Sequence, residues 1–109
     1  MAEDFDRLFA EVRSFGWDNE KRERVLRDRG IDFEELPALF EGPVVSIRSD
    51  RHGETRYVAC GFLEDREMVV VCTFRRDVCW IITARRARRD ERKKYHDRLS
   101  GRSPSKGED

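Results

Sequence analysis

The sequence lacks the features that mark several large classes of protein. It has only three cysteines, Cys60, Cys72 and Cys79, and their spacing matches no zinc pattern. An odd cysteine count argues against a disulfide framework, so we expect buried, reduced thiols. No apolar stretch approaches the ~20 residues of a membrane span, and the N-terminus, residues 1–4, is acidic rather than signal-like. We therefore expect a cytoplasmic protein that does not contact a membrane.

Familiar catalytic and cofactor signatures are also missing. The chain has no glycine-rich phosphate loop, no HExxH motif and no nucleophile elbow. No metal or nucleotide cofactor is indicated. Any chemistry is therefore expected to come from ordinary side chains.

Charge is abundant but unevenly distributed. Charged residues make up 42% of the chain, yet the net charge is zero. Residues 1–42 hold 7 Lys+Arg against 12 Asp+Glu, whereas residues 43–109 hold 16 against 11. The segment from Arg75 to Arg98 is the most basic, with 10 basic and 4 acidic residues. Most of these are arginines, which suit bidentate phosphate recognition, so the composition favours an anionic partner without separating RNA from duplex DNA.

The first 42 residues predict three helices. Apolar residues at helical spacing follow Asp4, and Gly16 should end this first helix. Asp18 or its neighbour should cap a second helix that Gly30 terminates. Asp32 opens a third helix with capping-box spacing. The face that this third helix turns to the core is expected to comprise Phe33, Leu36, Leu39 and Phe40.

The remaining residues predict strands and one further helix. Short connections between the strands favour an antiparallel meander. A highly charged helix, Ala87–Leu99, should follow, with an inner face limited to Ala84, Ala87, Tyr95 and Leu99. We therefore predict an α+β fold in which N-terminal helices pack on a small antiparallel sheet of about four strands. The predicted strands, rich in β-branched and aromatic residues, are Val44–Ser49, Thr55–Phe62, Met68–Phe74 and Val78–Ala84.

The segment Ile81–Tyr95 is the most informative about function. A strand delivers Arg85 and Arg86 to the start of a cationic helix. Guanidinium groups and backbone donors at such a junction can clamp a phosphate. The alternative is a solvated helix whose ion pairs only maintain solubility.

Other candidate residues have structural alternatives too. Trp17 can stack on a base and Lys21 can touch phosphate, although a single tryptophan more often anchors a core. Arg56 can point from a sheet face toward a substrate, or it can form a cross-strand ion pair. His52 and His96 are candidates for proton transfer, but no sequence neighbour fixes their tautomers, and plain surface histidines are the simpler interpretation.

Taken in order, several runs of this sequence resemble the BrnT-type toxins. The first run is FGWDNEKRERVLRDRGIDFEELPALFEGP, with its Trp-Asp pair, Lys-bearing helix and Phe-Glu-Glu helix. The later runs are ETRYVACGF, VVVCTFRR and IITARRARRDERKKY, the last resembling the family's closing ARRA…ER…Y helix. Together they cover about residues 15–96. The domain organisation is accordingly expected to be a helical extension over 1–14, a BrnT-like toxin domain over 15–99 and a disordered tail over 100–109.

The resemblance implies a RelE-like fold and a cytoplasmic ribonuclease that acts on RNA as the toxin of a type II toxin–antitoxin pair. The implied partner is a BrnA-like antitoxin with a ribbon-helix-helix domain, through which the toxin would contact operator DNA indirectly. The candidates for substrate binding are Trp17 and two arginines of the basic segment, Arg75 and Arg89. The family's functional positions correspond to Trp17, Lys21, Arg56 and Arg85, with Arg86, Glu91 and Tyr95 beside them.

Cleavage of RNA without a metal needs three things: a deprotonated 2′-hydroxyl, a neutralised phosphorane and a protonated 5′-oxygen. Arginine is a poor base because its pKa exceeds ~12, so Arg85, Arg56 and Arg86 are assigned to charge stabilisation. Proton transfer is left open among Lys21, Glu91, Tyr95 and the histidines.

Two positions depart from the family pattern. Arg29 stands where members often have histidine, which removes a candidate proton donor, and Cys72 stands where they often have histidine or an aromatic residue. Two other functions therefore stay open. One is a non-catalytic, toxin-derived module that acts in antitoxin binding or transcriptional co-repression. The other is a plain RNA-binding domain without an antitoxin.

Overall fold

The computed structural model describes residues 2–100, with side chains from Phe5 onward, and is built around a five-stranded mixed sheet. The spatial order of the strands is β1-β5-β4-β3-β2. The strands are β1 Ser14–Trp17, β2 Val45–Arg51, β3 Glu54–Leu63, β4 Arg66–Arg75 and β5 Val78–Arg86. The helices are α1 Ala2–Phe9, α2 Asn19–Arg29, a 3₁₀ helix Phe33–Glu41 and α3 Arg89–Leu99.

The α+β class and the antiparallel meander β2 to β5 are confirmed, but the prediction of a four-stranded, wholly antiparallel sheet is wrong. The fifth strand, β1, pairs parallel to β5, with Phe15 opposite Cys79 and Trp17 opposite Ile81. β1 has only four residues and includes Gly16. A segment this short carries too little alternation to be recognised as a strand.

The first helix was predicted to reach Gly16, and this is also wrong. α1 ends at Phe9, and Val12 packs against the core from outside the helix. Gly16 lies in β1 opposite Trp80, and a Cβ added there would come within 2.9 Å of the Trp80 ring. This glycine therefore makes room for an indole and does not terminate a helix.

The second helix is confirmed and the third is partly confirmed. The Asp18 carboxylate accepts the backbone N–H groups of Glu20 and Lys21, and Gly30 ends α2 at a φ of 71°. The third helix is 3₁₀ rather than α and contains Pro37, which lacks a backbone N–H. Its four predicted inward residues are all buried, namely Phe33, Leu36, Leu39 and Phe40.

The two faces of the sheet have different surroundings. Along β3, Tyr57 and Ala59 are buried in the main core, together with residues of α1, α2 and the 3₁₀ helix. The alternate residues turn to the second face, because successive side chains in a strand point to opposite sides. α3 crosses one end of this second face and contacts β3 and β2. We call the rest of the second face the open face; it comprises Ile47, Ser49, Arg56, Val58, Val71, Thr73 and Trp80.

The last helix was predicted to begin at Ala87, but α3 begins at Arg89, and of the four residues predicted for its inner face only Tyr95 is buried on the helix. Ala84 is buried in the main core from β5, Ala87 is buried just before α3, and Leu99 is 44% exposed. α3 crosses toward β2, the edge strand, where no further strand covers its last turn. Within residues 2–100, no helix is long and apolar enough to cross a membrane. The predicted tail, apart from Ser100, lies outside the described residues.

Candidate nucleic-acid interface and active site

The junction between β5 and α3 holds a two-point ion pair. Arg85 lies near the end of β5, and its Nη1 and Nη2 donate to the two carboxylate oxygens of Glu91 at 2.9 and 2.7 Å. The two side chains are 30% and 22% exposed. The pair is thus anchored to the protein but reachable from solvent.

Glu91 also closes the start of α3. Its Oε1 accepts the backbone N–H of Arg88 at 2.8 Å, which satisfies one of the free donors at a helix N-terminus. The Arg85 hydrogen bonds, opposed by burial and helped by the Arg88 N–H, lower the pKa of Glu91 to about 2. Glu91 is therefore a carboxylate at neutral pH and holds Arg85 by charge as well as by geometry.

Part of the Arg85 guanidinium is left available. A guanidinium has five N–H donors. Arg85 Nη1 donates one hydrogen bond to Glu91 and one, at 3.3 Å, to the Arg86 carbonyl, and Nη2 donates one hydrogen bond to Glu91. Among residues 2–100, the Nε–H and the second Nη2 hydrogen have no hydrogen-bond acceptor. These two donors form the side-on fork of the guanidinium, and such a fork matches two oxygens of one phosphate.

A second charged cluster lies around Glu54. Its carboxylate accepts from Arg56 Nε at 3.1 Å and from Arg75 Nη2 at 3.4 Å. Arg56 is the main cause of the lowered pKa of Glu54. The structure thus shows Arg56 in an ion pair, with a partner two residues away on its own strand, and Glu54 connects it to Arg75 on β4. The Arg75 Cζ also lies 4.7 Å from the centroid of the Trp80 ring, a cation–π contact.

The strand register places the two clusters in separate rows on the same face. The first row, the Arg85 row, follows the pairing of the strands and comprises Val45, Cys60, Val69 and Arg85. The second, the Trp80 row, comprises Ser49, Arg56, Thr73, Trp80 and Gly16. Cys60 and Arg56 are four residues apart on β3, so the rows are separated by ~13 Å. The structure therefore brings Arg56 and Arg85 to one surface but not into contact.

A groove adjoins the Arg85 row. It has a volume of about 430 Å³ and lies between α3 and the strands β2 and β3. Glu91 lines it, so the Arg85–Glu91 pair borders a concave surface. The apolar floor comprises Val45, Ile47, Val58 and Cys60, and the charged rim comprises Asp90, Glu91, Lys94 and Arg98.

Trp17 and Lys21 lie away from these rows. The Trp17 ring packs against the main core and meets Phe33 edge to face, with 6.3 Å between ring centroids. It is therefore on the sheet face opposite to Arg85, in the core-packing position that was the alternative for this residue. Lys21 lies in the first turn of α2 and is half-buried.

The remaining candidates differ in their accessibility. Arg86 and Arg89 are exposed; Arg86 is paired with Met68, a core-face residue, and so points away from Arg85. Tyr95 is buried, and its hydroxyl donates to the Pro43 carbonyl at 3.0 Å. Burial raises the pKa of Tyr95. Its contact ties α3 to the chain just before β2.

The two histidines have different surroundings. His52 is exposed in the turn between β2 and β3, at a positive φ of 53°. His96, on α3, contacts the carboxylate of Glu67, which also lies 3.7 Å from Arg92. Within residues 2–100, no group of three or more His, Cys, Asp or Glu side chains is arranged to hold a metal ion.

The two departures from the family pattern have structural roles. Arg29 Nη1 donates to the Ala84 carbonyl at 2.8 Å and so fastens the end of α2 beside Arg85. Cys72 is buried in the core, where its thiol adjoins that of Cys79 and its pKa is raised. All three cysteines are free, but the prediction that all of them are buried is wrong for Cys60. Cys60 is only half-buried, and burial raises its pKa to about 11.

Trp80 is the residue that sequence reasoning missed. The sequence predicts only that Trp80 belongs to a strand, whereas the structure places it on the open face beside Arg75. The signal was present in the alternation of β5, because Trp80 stands between Cys79 and Ile81, which are both buried in the main core. A tryptophan out of phase with the buried residues of its strand points to the other face.

Comparison with known proteins agrees with the resemblance read from the sequence. A family model described as "Ribonuclease toxin, BrnT, of type II toxin-antitoxin system" matches residues 17–91. The matched span is well over half of the chain and includes both Arg56 and the Arg85–Glu91 pair. A search of the curated proteins finds no match. The chain belongs to the BrnT family of ribonuclease toxins from type II toxin–antitoxin systems.

Proposed function

We propose that this protein cleaves RNA without a metal ion and inhibits translation and growth unless an antitoxin is bound. Membership of the family implies a ribonuclease toxin with an antitoxin partner. The observation that supports cleavage by side chains is the Arg85 guanidinium, which Glu91 holds end-on while its side-on fork stays unoccupied.

In the proposed reaction, a base removes the proton of the 2′-hydroxyl and the 2′-oxygen attacks the adjacent phosphorus. The bond to the 5′-oxygen then breaks as an acid protonates that oxygen. The products are a 2′,3′-cyclic phosphate and a free 5′-hydroxyl. The phosphorane carries extra negative charge, which the fork of Arg85 neutralises at two oxygens. Loss of one preorganised donor of this kind typically costs ~10²–10³ in rate.

The other candidates take supporting roles in this proposal. Glu91 is a positioning residue, since a carboxylate with a pKa of about 2 is a weak base. Tyr95 is a scaffold for α3, since its hydroxyl is engaged by Pro43. Lys21 lies in the first turn of α2, away from the Arg85 row, so the acid and the base of the reaction are not assigned to single residues. The residues proposed to bind flanking RNA are Arg56, Arg75 and Arg89. Trp17 and Arg86 point to the opposite side of the sheet and are not assigned to this surface.

The proposed setting is the cytoplasm, with a RelE-like fold for the toxin. The proposed partner is a BrnA-like antitoxin whose ribbon-helix-helix domain binds the operator. The toxin would reach DNA only through this partner.

One observation favours the alternative of a non-catalytic module that binds antitoxin or acts as a co-repressor. Arg29, at a position often occupied by histidine in the family, donates to the Ala84 carbonyl and so has a structural contact in place of an imidazole. Under this alternative, Arg85 and Glu91 would only connect β5 to α3. Growth on expression of the chain would then be normal.

The test is RNA cleavage by the purified chain in excess EDTA, together with growth of cells that express it with and without the adjacent antitoxin gene. We expect cleavage in EDTA, 2′,3′-cyclic phosphate ends, and growth arrest that the antitoxin relieves. Arg24→Ala removes an exposed arginine on α2 and serves as the matched control for Arg85→Ala. Activity that disappears in EDTA and returns with a divalent cation would contradict the metal-free reaction.

A further inference from the structure

The Trp80 row carries an aromatic–cation pair that the proposed chemistry at Arg85 does not use. Trp80 is half-buried, lies on the open face and is not part of the main core. Arg75 covers one side of its ring at 4.7 Å. The Arg75 side chain is 53% exposed, and its ion pair with Glu54 spans 3.4 Å. Both contacts of the guanidinium therefore lie at the surface, where another anion can reach it.

The position of the indole depends on Gly16. A Cβ at Gly16 would lie 2.9 and 3.0 Å from Cε3 and Cζ3 of Trp80, closer than side chains normally approach. The absence of a side chain lets the ring lie against the backbone of β1. The same row continues through Thr73, whose hydroxyl donates to the Thr55 carbonyl at 2.7 Å. The ring therefore packs against the backbone of β1 on one side of its strand and lies beside Thr73 of β4 on the other.

The two tryptophans of the chain have opposite environments. Trp17 packs against the main core and contacts Phe33. Trp80 instead has an exposed cation on its ring and a second arginine, Arg56, in its row. An aromatic ring on a sheet surface, flanked by arginines, is the arrangement by which proteins stack single-stranded nucleic acid.

We propose that Trp80 is a stacking platform for one nucleobase of single-stranded RNA, and that Arg75 leaves the ring to bind a neighbouring phosphate. The inference rests on the proposed function in one respect, that the substrate is RNA. The Trp80 row lies ~13 Å from the Arg85 row along the strands. A base stacked on Trp80 would therefore set which phosphate, a few nucleotides away, reaches Arg85. The platform fixes the position of cleavage and is tolerant of base identity, because every base has a stacking face.

Binding of a cleavage-resistant 2′-O-methyl oligonucleotide tests the platform. Trp80→Leu should weaken binding by about ten- to a hundredfold, the loss expected for one base stack, and Trp80→Phe should retain most of the affinity. Phe62→Leu is the matched control, since Phe62 is a 39% exposed aromatic residue on β3, beneath α3 and outside the Trp80 row. Its affinity should stay within twofold of that of the unaltered chain.

The salt dependence of RNA binding distinguishes the contribution of Arg75 from that of Trp80. Arg75→Gln should lower the slope of log affinity against log salt by about 0.7, as expected when one phosphate contact to a single strand is lost. Trp80→Leu should weaken binding and leave that slope unchanged. Equal slopes for Arg75→Gln and the unaltered chain would overturn the proposed role of Arg75.

Photocrosslinking of the unaltered chain to an oligonucleotide containing 5-bromouracil gives a test that needs no variant. We expect the crosslink at Trp80, identified by mass spectrometry. Failure of the chain to bind the oligonucleotide, or crosslinks only elsewhere, would overturn the platform even if Trp80→Leu does not fold. RNA cleavage is measured separately. Crosslinking at Trp80 without cleavage supports the platform and contradicts the ribonuclease proposal, whereas cleavage that Trp80→Leu leaves unchanged contradicts only the platform.

Discussion

Two arginine–carboxylate pairs in this protein have the same chemistry and different geometries. Arg22 on α2 binds Asp32, the cap of the 3₁₀ helix, through Nε and Nη2 at 2.8 and 3.1 Å. Arg85 binds Glu91 through Nη1 and Nη2. The first pair uses the side-on fork of the guanidinium and the second leaves that fork open.

The difference shows how a structural contact and a binding site can be distinguished. Arg22 and Asp32 join two adjacent helices on the core side of the sheet, so their pair is expected to contribute to stability alone. Arg85 and Glu91 join the last strand to the helix that borders a groove. Two-point binding to a carboxylate is therefore not by itself a sign of function. The more informative features are the guanidinium donors that stay unoccupied and the surface that these donors face.

The largest expected effect comes from the pair at β5. Arg85→Ala should lower RNA cleavage by about 10²–10³, while the melting temperature changes little, because a partly exposed ion pair contributes only ~0–1 kcal/mol. Arg85→Lys should be nearly as inactive, since lysine keeps the charge and loses the fork. Single-turnover cleavage and thermal unfolding measure the two effects. A folded Arg85→Ala variant that cleaves within about threefold of the unaltered chain would show that both pairs are structural.

Removal of the partner carboxylate should have a smaller effect on activity and a distinct dependence on pH. Glu91→Gln keeps the size of the side chain and weakens its hold on Arg85, so we expect cleavage to fall by about tenfold.

The pKa of Glu91 is about 2 in the folded protein, against an ordinary value of 4.5. A lowered folded pKa means that the carboxylate adds stability above about pH 4.5 and loses this contribution as the pH falls toward 2. The difference in unfolding free energy between the unaltered chain and Glu91→Gln should therefore shrink over this range. A constant difference measured by urea unfolding at several pH values would contradict the assignment.

The other pair should affect stability without affecting chemistry. Asp32→Ala removes the helix cap together with the partner of Arg22, and we expect a loss of about 1 kcal/mol. For a domain of this size the melting temperature should fall by roughly 4–8 °C. Cleavage at a temperature well below unfolding should be unchanged. A large loss of cleavage in a folded Asp32→Ala protein would mean that the core-side pair also supports the site.

The smallest expected effect on cleavage concerns the cysteines, of which Cys72 and Cys79 lie on the core face of the sheet and Cys60 on the second face. The thiols are free, so titration of the denatured protein under anaerobic conditions should count three. Cys60→Ala, on the second face, should leave cleavage within about twofold, because its raised pKa keeps the thiol protonated. A count of one would indicate a bridge between Cys72 and Cys79.

The parts of the fold with strong local signals were predictable from the sequence. Asp18 and Gly30 define α2 because a capping carboxylate and a left-handed glycine act within a few residues. Strands β2 to β5 follow from their composition and short turns. β1 was missed because its partner, β5, lies more than sixty residues away, and no local pattern encodes that pairing.

The candidate site was predictable only in part. Arg85 was identified from the family pattern and from its place at a strand end. Glu91 follows Arg85 by six residues, and the chain changes from strand to helix between them. Neither the period of a helix nor that of a strand predicts that two such residues are in contact. Trp80 was missed because composition alone does not separate an indole in the core from one on the opposite face.

The parallel pairing of β1 with β5 also constrains when the second face of the sheet can form during synthesis. Residues 14–17 leave the ribosome early, but they must wait for residues 78–81 before they can pair. Long-range contacts of this kind form late in folding. Both rows of the second face draw a residue from β5, so neither is complete until most of the chain has been made. The sheet face that carries Arg85 and Trp80 is therefore assembled only after residues 78–86 have been made.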